Sequence, residues 1–212
     1  MYFDYIEDAY YINLDSRPDR KELFEKRTNE IGLAIKRSKA FQYAPDEFDS
    51  DDPNWYKKLS CTMSHINLIR MAKGRGLKNL WIFEDDCVFA NNFIEEAQKC
   101  VDELKDLEWD IFYFGAHIVE DSIPATENIV KIISAWGAHC YVINHTFYDK
   151  ILKYDPQCGI IDGLYFNHTP EDKNFYMAKK LLVYQDDDSI SDLWGKKEGY
   201  KIYIDSYDKH VK

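Results

Sequence analysis

Three consecutive acids, Glu84, Asp85 and Asp86, close the apolar run of NLWIFEDDCVF, residues 79–89, and no basic residue lies near them in sequence. In an extended segment side chains alternate, so Glu84 and Asp86 are expected on one face and Asp85 on the other. Two carboxylates held side by side raise one of their pKa values unless a cation sits between them. At an effective dielectric of about 20, unit charges about 4 Å apart interact by about 4 kcal/mol, so such a pair cannot face a diphosphate unaided. Hard oxygen donors of this type suit Mn²⁺ or Mg²⁺, which bridge one or two protein carboxylates to phosphate oxygens. The plain alternative is a solvated acidic turn that merely ends a strand.

The elements that would position these acids alternate along the chain. AYYINL (9–14) reads as a strand, and SRPDRKELFEKRTNEIGL after it as an amphipathic helix. Ser16 is its expected N-cap, Pro18 lies in its first turn, Leu23, Phe24, Arg27 and Ile31 line its inner face, and Gly32 closes it. AIKRSKAF (34–41) reads as a second strand, and LSCTMSHINLIRMAKGRGL, from Leu59, as a helix closed by Gly74 or Gly76. LWIF (80–83), the helix 91–107 and the strand 109–115 follow. Residues 128–133 and 138–143 read as a strand pair around Gly137, and 146–154 as a helix. Residues 159–167 fit helix or strand, 178–185 reads as a strand, and YKIYIDSYDKHVK as a last strand with a frayed end.

This alternation predicts an α/β/α sandwich with a mostly parallel mixed sheet, in one domain over 1–212. In such sheets ligands collect at the carboxyl ends of strands. NLDSRPDR, EDD and QDDDSISD all fall at such ends and are expected to converge on one rim.

The 212 residues suffice for one large core, and the 45% hydrophobic and 31% charged composition is globular. A formal net charge of −11 argues against nucleic-acid binding, which needs a basic face. There is no apolar run near the roughly 18 residues of a membrane span and no signal-peptide pattern, so a cytoplasmic location is expected. The five cysteines lack C-x-x-C spacing and read as reduced thiols. Asn144 and Asn167 begin N-x-T triplets that read as accidental in that setting.

Four segments in order, YYINLDSRPDRKELF (10–24), SCTMSHINLIRMAKGRGLKNLWIFEDDCVF (60–89), WDIFYFG to GAHCYVIN (109–144) and VYQDDDSISDL (183–193), resemble the family 25 glycosyltransferases. That family includes lipopolysaccharide sugar transferases and collagen galactosyltransferases, with relatives in large DNA viruses. One departure is Ser60, where the family usually has glycine before its cysteine. The chain is also short beside many relatives, as a catalytic domain of a longer protein would be.

The resemblance implies a GT-A fold, a nucleotide-sugar donor, UDP-linked, and a glycan or glycoprotein acceptor, with the donor part near 1–115 and the acceptor part near 116–212. It implies Asp86 as the leading ligand of Mn²⁺ (or Mg²⁺), with Glu84 near the ribose or the metal and Asp85 beside them. Asn13, Leu14, Asp15, Ser16 and Arg17 would line the nucleotide. Backbone groups of Ile12 and Leu14 would read the base edge, and Arg17 or Arg20 would pair with phosphate. Asp15 and Ser16 also read as helix caps, and Arg20 as a solvated helix residue. Ser64 and His65 match the family's Ser-His pair, and His65 is expected to contact the donor or to support a residue that does.

Asp162, where the resembling enzymes carry an acid, is the candidate general base. It is a lone acid among Ile160, Ile161, Leu164 and Phe166, where desolvation should raise its pKa into a useful range; its other reading is an N-cap for the segment after it. Asp186, Asp187, Asp188, Ser191 and Asp192 offer a further metal or acceptor contact, and Asp188 and His210 are the late candidate metal ligands. Two rival functions fit parts of the pattern: a metal-dependent phosphohydrolase or nucleotidyltransferase using Glu84 and Asp86, and a non-catalytic carbohydrate-binding module using the 16 tyrosines.

Overall fold

In the computed structural model, which describes residues 3–48, 50–167, 173–186 and 200–212, the first apolar run forms strand β1 (Ala9–Asn13). Helix α1 (Pro18–Glu30) and strand β2 (Lys36–Lys39) follow, then the long helix α2 (Trp55–Gly74). Strand β3 (Asn79–Glu84) ends at the first of the three acids; Asp85 and Asp86 make a two-residue turn into β4 (Cys87–Phe89). Helix α3 (Phe93–Leu104) leads to β5 (Ile111–Tyr113), then to the short strands β6 (His117–Ile118), β7 (Ile123–Pro124), β8 (Ile129–Lys131) and β9 (Ala135–Trp136). Strand β10 (Cys140–Asn144), α4 (His145–Leu152), α5 (Ile161–Asn167), β11 (Phe175–Ala178), β12 (Val183–Gln185) and α6 (Tyr200–His210) complete the order.

The main sheet has the order β2-β1-β3-β10-β5-β11-β8-β7. Its pairings send β2, β1, β3, β5, β11 and β7 one way and β10 and β8 the other. The expected α/β class with a mostly parallel, mixed sheet is therefore what the chain forms. Both faces of the sheet are buried, as continuous apolar strands require. Leu80 and Ile82 of β3 point into the core shared with α2, α4 and α5, while Trp81 and Phe83 point into the core shared with α1 and α3. Each such fully buried side chain contributes about 1.5–3 kcal/mol relative to exposure; Ile82→Ala would forfeit about 2–5 kcal/mol once the cavity it leaves is included.

Parity along the strands then fixes the direction of polar residues at the rim. Glu84 follows Ile82 onto the α2 side, and Asn13 follows Tyr11 onto the α1 side. Because Ile12 pairs with Glu84 in parallel register, the carboxyl ends of β1 and β3 lie side by side.

Several elements differ from the sequence reading. Arg17, not Ser16, occupies the cap position of α1, with Pro18 directly after it. The inward residues of α1 are Arg20, Phe24 and Thr28, four apart, and Leu23 is exposed. Residues 129–131 and 140–144 do not pair with one another: β8 joins β11 and β7, while β10 inserts between β3 and β5. Of the strand expected over 178–185, Val183–Gln185 alone forms β12, in a small sheet with β4, and Ala178 ends β11 of the main sheet. The chain's last segment is helical, because Tyr203, Ser206 and Tyr207 fall on one buried helical face.

Candidate active site

Glu84 leaves β3 facing α2, whose side chains Cys61 and His65 stand one helical turn apart. His65 Nε2 lies 3.3 Å from Glu84 Oε1, and Cys61 Sγ lies 3.8 Å from the same oxygen. Tyr141 of β10 shares this face; its hydroxyl is 2.9 Å from His65 Nδ1 and 2.6 Å from the Tyr165 hydroxyl. Burial pushes the Glu84 carboxyl up, but the His65 hydrogen bond and the nearby His65 and His139 rings outweigh it and hold Glu84 below its ordinary value. The Glu84 side chain keeps 25% of its surface open, enough for a ligand to touch.

Asp85 and Asp86 lie beyond the strand, so alternation does not separate them as an extended segment would. Both turn toward Arg20, the buried residue of α1. Arg20 Nη1 is 2.9 Å from Asp85 Oδ1 and 3.6 Å from Asp86 Oδ2. The positive partner that the local sequence lacks thus arrives from 65 residues away. Asn13 Nδ2 donates to Asp85 Oδ2 at 2.7 Å. Burial still raises Asp85, more than Arg20 and Asn13 lower it. Asp86 receives only a long bond from Gln185 Nε2, 3.4 Å, and its Oδ1 is buried with no partner among the described residues. Burial first, and the Glu84 charge second, raise Asp86 to about 7.

Asp162 approaches Glu84 from the opposite half of the chain, in the first turn of α5. Its carboxyl accepts the backbone N–H groups of Gly137 and Ala138, and its Oδ1 is buried with no hydrogen-bond partner among the described residues. Gly137 has φ +106°, a conformation that side-chain-bearing residues avoid, and an added Cβ would sit 3.1 Å from His139 Nδ1. Burial and then the Glu84 charge raise Asp162 to about 7. Both readings of this residue thus meet at one place: it opens a helix and it is a desolvated acid beside the acidic cluster.

The donor-loop residues are brought to the same rim but are largely engaged with one another. Asn13 is buried, donates to Asp85 and to the Arg17 carbonyl (3.0 Å), and accepts from Arg37 Nε at 2.9 Å. Ile12 is in register with Ser38 on one side and Glu84 on the other, which puts its peptide groups between strands instead of at a free edge. The Leu14 carbonyl accepts the Arg17 N–H at 3.0 Å. Exposed Asp15 pairs with Arg37 at 2.7 Å and Lys39 at 2.6 Å, which hold its carboxyl below the usual range. Arg17 pairs with Asp19 at 2.9 Å.

Ser64 Oγ donates to the Ser60 carbonyl (2.8 Å) and accepts the Phe41 N–H (2.9 Å). Ser60 Oγ accepts the Tyr43 N–H at 2.9 Å, a tie that glycine at this position would not supply. These two serines fasten the 41–43 segment to α2. Of the late acidic patch, Asp186 reaches the site: its N–H donates to the Asp86 carbonyl at 2.9 Å and its carboxylate pairs with Arg27. Asp188, with Asp187, Ser191 and Asp192, lies outside the described residues. His210 is not brought to the acids; it sits at the far end of α6, its Nδ1 2.8 Å from Asp121 Oδ1. Sequence reasoning missed Cys61 as a neighbour of Glu84, Gln185 as the donor to Asp86, and the role of Arg20 as the buried counter-charge.

Glu84, Asp85, Asp86 and Asp162 thus form a set of buried or part-buried carboxyl groups with the Arg20 guanidinium beside them, and among the described residues Asp86 Oδ1 and Asp162 Oδ1 have no hydrogen-bond partner. Such a set can hold a divalent cation and retain a carboxyl group that titrates near neutrality. The model of glycosyltransferase family 25 (LPS biosynthesis protein) matches residues 6–173. A glycosyltransferase 25 family member of Drosophila melanogaster is 26% identical over 152 residues, 61% of this chain and 24% of that protein. Procollagen galactosyltransferase 1 of Danio rerio is 25% identical over 217 residues, 84% of this chain and 36% of that protein. The inactive glycosyltransferase 25 family member 3 of Mus musculus is 30% identical over 60 residues, 27% of this chain and 10% of that protein. The chain thus spans about a quarter to a third of the length of the first two relatives. No helix among the described residues is long and apolar enough to cross a membrane.

Proposed function

The chain belongs to glycosyltransferase family 25, and from that premise we propose that it transfers a sugar from a UDP-linked donor to a hydroxyl of a glycan or glycoprotein acceptor. The observation that carries this reading is the pair of carboxyl groups, Asp86 and Asp162, that both feel the Glu84 charge and each keep a buried oxygen without a hydrogen-bond partner among the described residues. The donor set at Asp86 fits a hard divalent ion: it is oxygen, buried, over-supplied with negative charge and short of one partner. Asp86 would hold Mn²⁺ or Mg²⁺, with Glu84 beside it. When bound, the ion supplies charge neutralisation on the diphosphate leaving group.

The remaining steps belong to the chain's own residues. Arg20 and Asn13 hold the Asp85–Asp86 turn at the strand end, so that Asp86 stays aimed without rearranging. Asp162 in its ionised form takes the proton of the acceptor hydroxyl as that oxygen attacks the anomeric carbon, in an inverting transfer. A base near its own pKa at neutrality combines the correct protonation state with a real driving force for proton transfer. Gly137 and Ala138 N–H fix one oxygen of Asp162 and leave the other for the acceptor.

The test is calorimetric titration of UDP with and without Mn²⁺. Expected is metal-dependent binding that Asp86→Ala abolishes; equal UDP affinity in excess chelator removes the metal from the reading. A panel of UDP-sugars, assayed for transfer to hydroxyl acceptors, then separates catalysis from retained binding alone. Binding without transfer would place this chain with relatives such as the one named inactive.

A further inference from the structure

The α2 side of Glu84 carries chemistry that the donor site does not use. Cys61 Sγ, His65 Nε2 and Glu84 Oε1 all lie within 4.8 Å of one another. As hydrogen bonds the two contacts to Glu84 are poor: charge-assisted N–H···O bonds run about 2.7–2.9 Å, against 3.3 Å for His65, and the thiol stands off at 3.8 Å. As edges of a coordination tetrahedron the 3.3 Å contact fits and the 3.8 Å contact is about 0.2 Å long. Zinc–nitrogen and zinc–oxygen bonds of about 2.0–2.2 Å and a zinc–sulfur bond of about 2.3 Å give ligand–ligand edges of about 3.3–3.6 Å.

The surroundings prepare these atoms for a metal. Cys61 and His65 sit at i and i+4 of one helix, with no loop to order before they converge. His65 Nδ1 faces the Tyr141 hydroxyl, which faces the Tyr165 hydroxyl, all three side chains fully buried. Tyr141 can accept the ring proton on Nδ1, so that when an ion displaces the Nε2–H···Glu84 bond the Nε2 lone pair faces the space shared with Glu84 and Cys61. Outer hydrogen bonds of this kind fix the tautomer of ligating histidines.

We propose that Cys61, His65 and Glu84 form a binding site for a thiophilic divalent ion of the Zn²⁺ type, completed by water. Binding exchanges the Cys61 S–H proton, released to solvent, for a sulfur–metal bond; thiolate and carboxylate then balance the ion's two charges. Thiolate and imidazole select such an ion over Mg²⁺ or Mn²⁺, which prefer the oxygen donors at Asp86. Glu84 is the shared wall between the two sites, so a thiophilic ion draws its charge away from Asp86 and Asp162.

The experiment is titration of the intact, reduced chain with Co²⁺ as a spectroscopic stand-in. Expected are a thiolate-to-cobalt charge-transfer band in the near ultraviolet and tetrahedral visible bands, saturating at one ion per chain. Equimolar Zn²⁺ should displace them, and excess Mg²⁺ should not. Cys61→Ser and Cys61→Ala, at a part-buried helical position, should abolish the band and weaken Zn²⁺ binding at least tenfold. In the unmodified chain, Zn²⁺ should protect Cys61 from alkylation, read on its peptide by mass spectrometry, which needs no variant to fold. Absence of the band, a band surviving in Cys61→Ser, or unprotected Cys61 each overturns the site. None of these readouts depends on sugar transfer, so the site and the proposed activity stand or fall separately.

Discussion

The turn after β3 and the first turn of α5 each bring a carboxyl group within electrostatic reach of Glu84, but they hold it by different means. At the turn the donors are side chains: Arg20 from α1, Asn13 from β1 and Gln185 from β12. At α5 they are two backbone N–H groups from Gly137 and Ala138. The first arrangement brings a full positive charge and is adjustable; the second brings only dipoles and is fixed by the fold. Yet Asp86 and Asp162 both rise to about 7, because burial and the Glu84 charge dominate at both ends. Glu84 itself stays low through His65. A single ionised residue thus keeps two neighbours near their titration points, one suited to a cation and one to a proton.

The comparison breaks most visibly at the backbone-held end. Asp162→Asn keeps an acceptor for the Gly137 and Ala138 N–H groups but cannot take a proton. Transfer should fall by about 10²–10⁴-fold, the usual range for a lost general base, while UDP affinity stays within about twofold. In the unmodified chain the rate should climb with pH through about 7, since only the ionised form of Asp162 serves as base. Transfer that survives in the variant makes Asp162 a structural helix-opening residue and removes the inverting route.

The side-chain-held end should respond in stability instead. Arg20→Met leaves Asp85 and Asp86 without their guanidinium, and breaking a buried pair in this way costs about 3–5 kcal/mol. Because a bound cation substitutes for the lost charge, Mn²⁺ should raise the melting temperature of Arg20→Met more than that of the parent, through linkage to the folded state. Equal shifts in the two proteins would mean that the ion does not sit at this turn.

How much of this was legible follows from where each signal resides. β3 and its acids could be read because an apolar run ending in charge is a local pattern, and Asp162 because one acid among isoleucines is conspicuous. Arg20 was hidden: its type argues for solvent, and only Asp85, distant in sequence, explains its place on the inner face beside Phe24. Leu23 was misplaced for the same reason in reverse. The final segment YKIYIDSYDKH alternates enough to imitate a strand, but packing of Tyr203, Ser206 and Tyr207 selects the helix. His210 has the right type for a ligand, and helix length carries it to Asp121 instead. The Cys61–His65 spacing was visible, but its meaning required Glu84, delivered by a strand whose register no local pattern records.

The smallest expected effect sharpens the comparison without any substrate. Asp162 has an ordinary carboxyl pKa near 3.9 in the unfolded chain and about 7 in the fold. Below pH 4 both states are protonated and the residue is neutral to stability. Between pH 4 and 7 the unfolded chain loses its proton while the folded one keeps it, so each step upward in pH favours unfolding; above 7 the full cost of the buried charge is present. Asp162→Asn carries no such cost. Its urea midpoint should match the parent at pH 4 and exceed it at pH 8. Asp85 is the internal contrast: Arg20 and Asn13 offset part of its burial, so its pKa also rises but Asp85→Asn should gain less between pH 4 and pH 8 than Asp162→Asn. If Asp162→Asn gains no more with pH than Asp85→Asn, the two ends of the site do not differ in this way and the backbone-held carboxyl is solvated in solution.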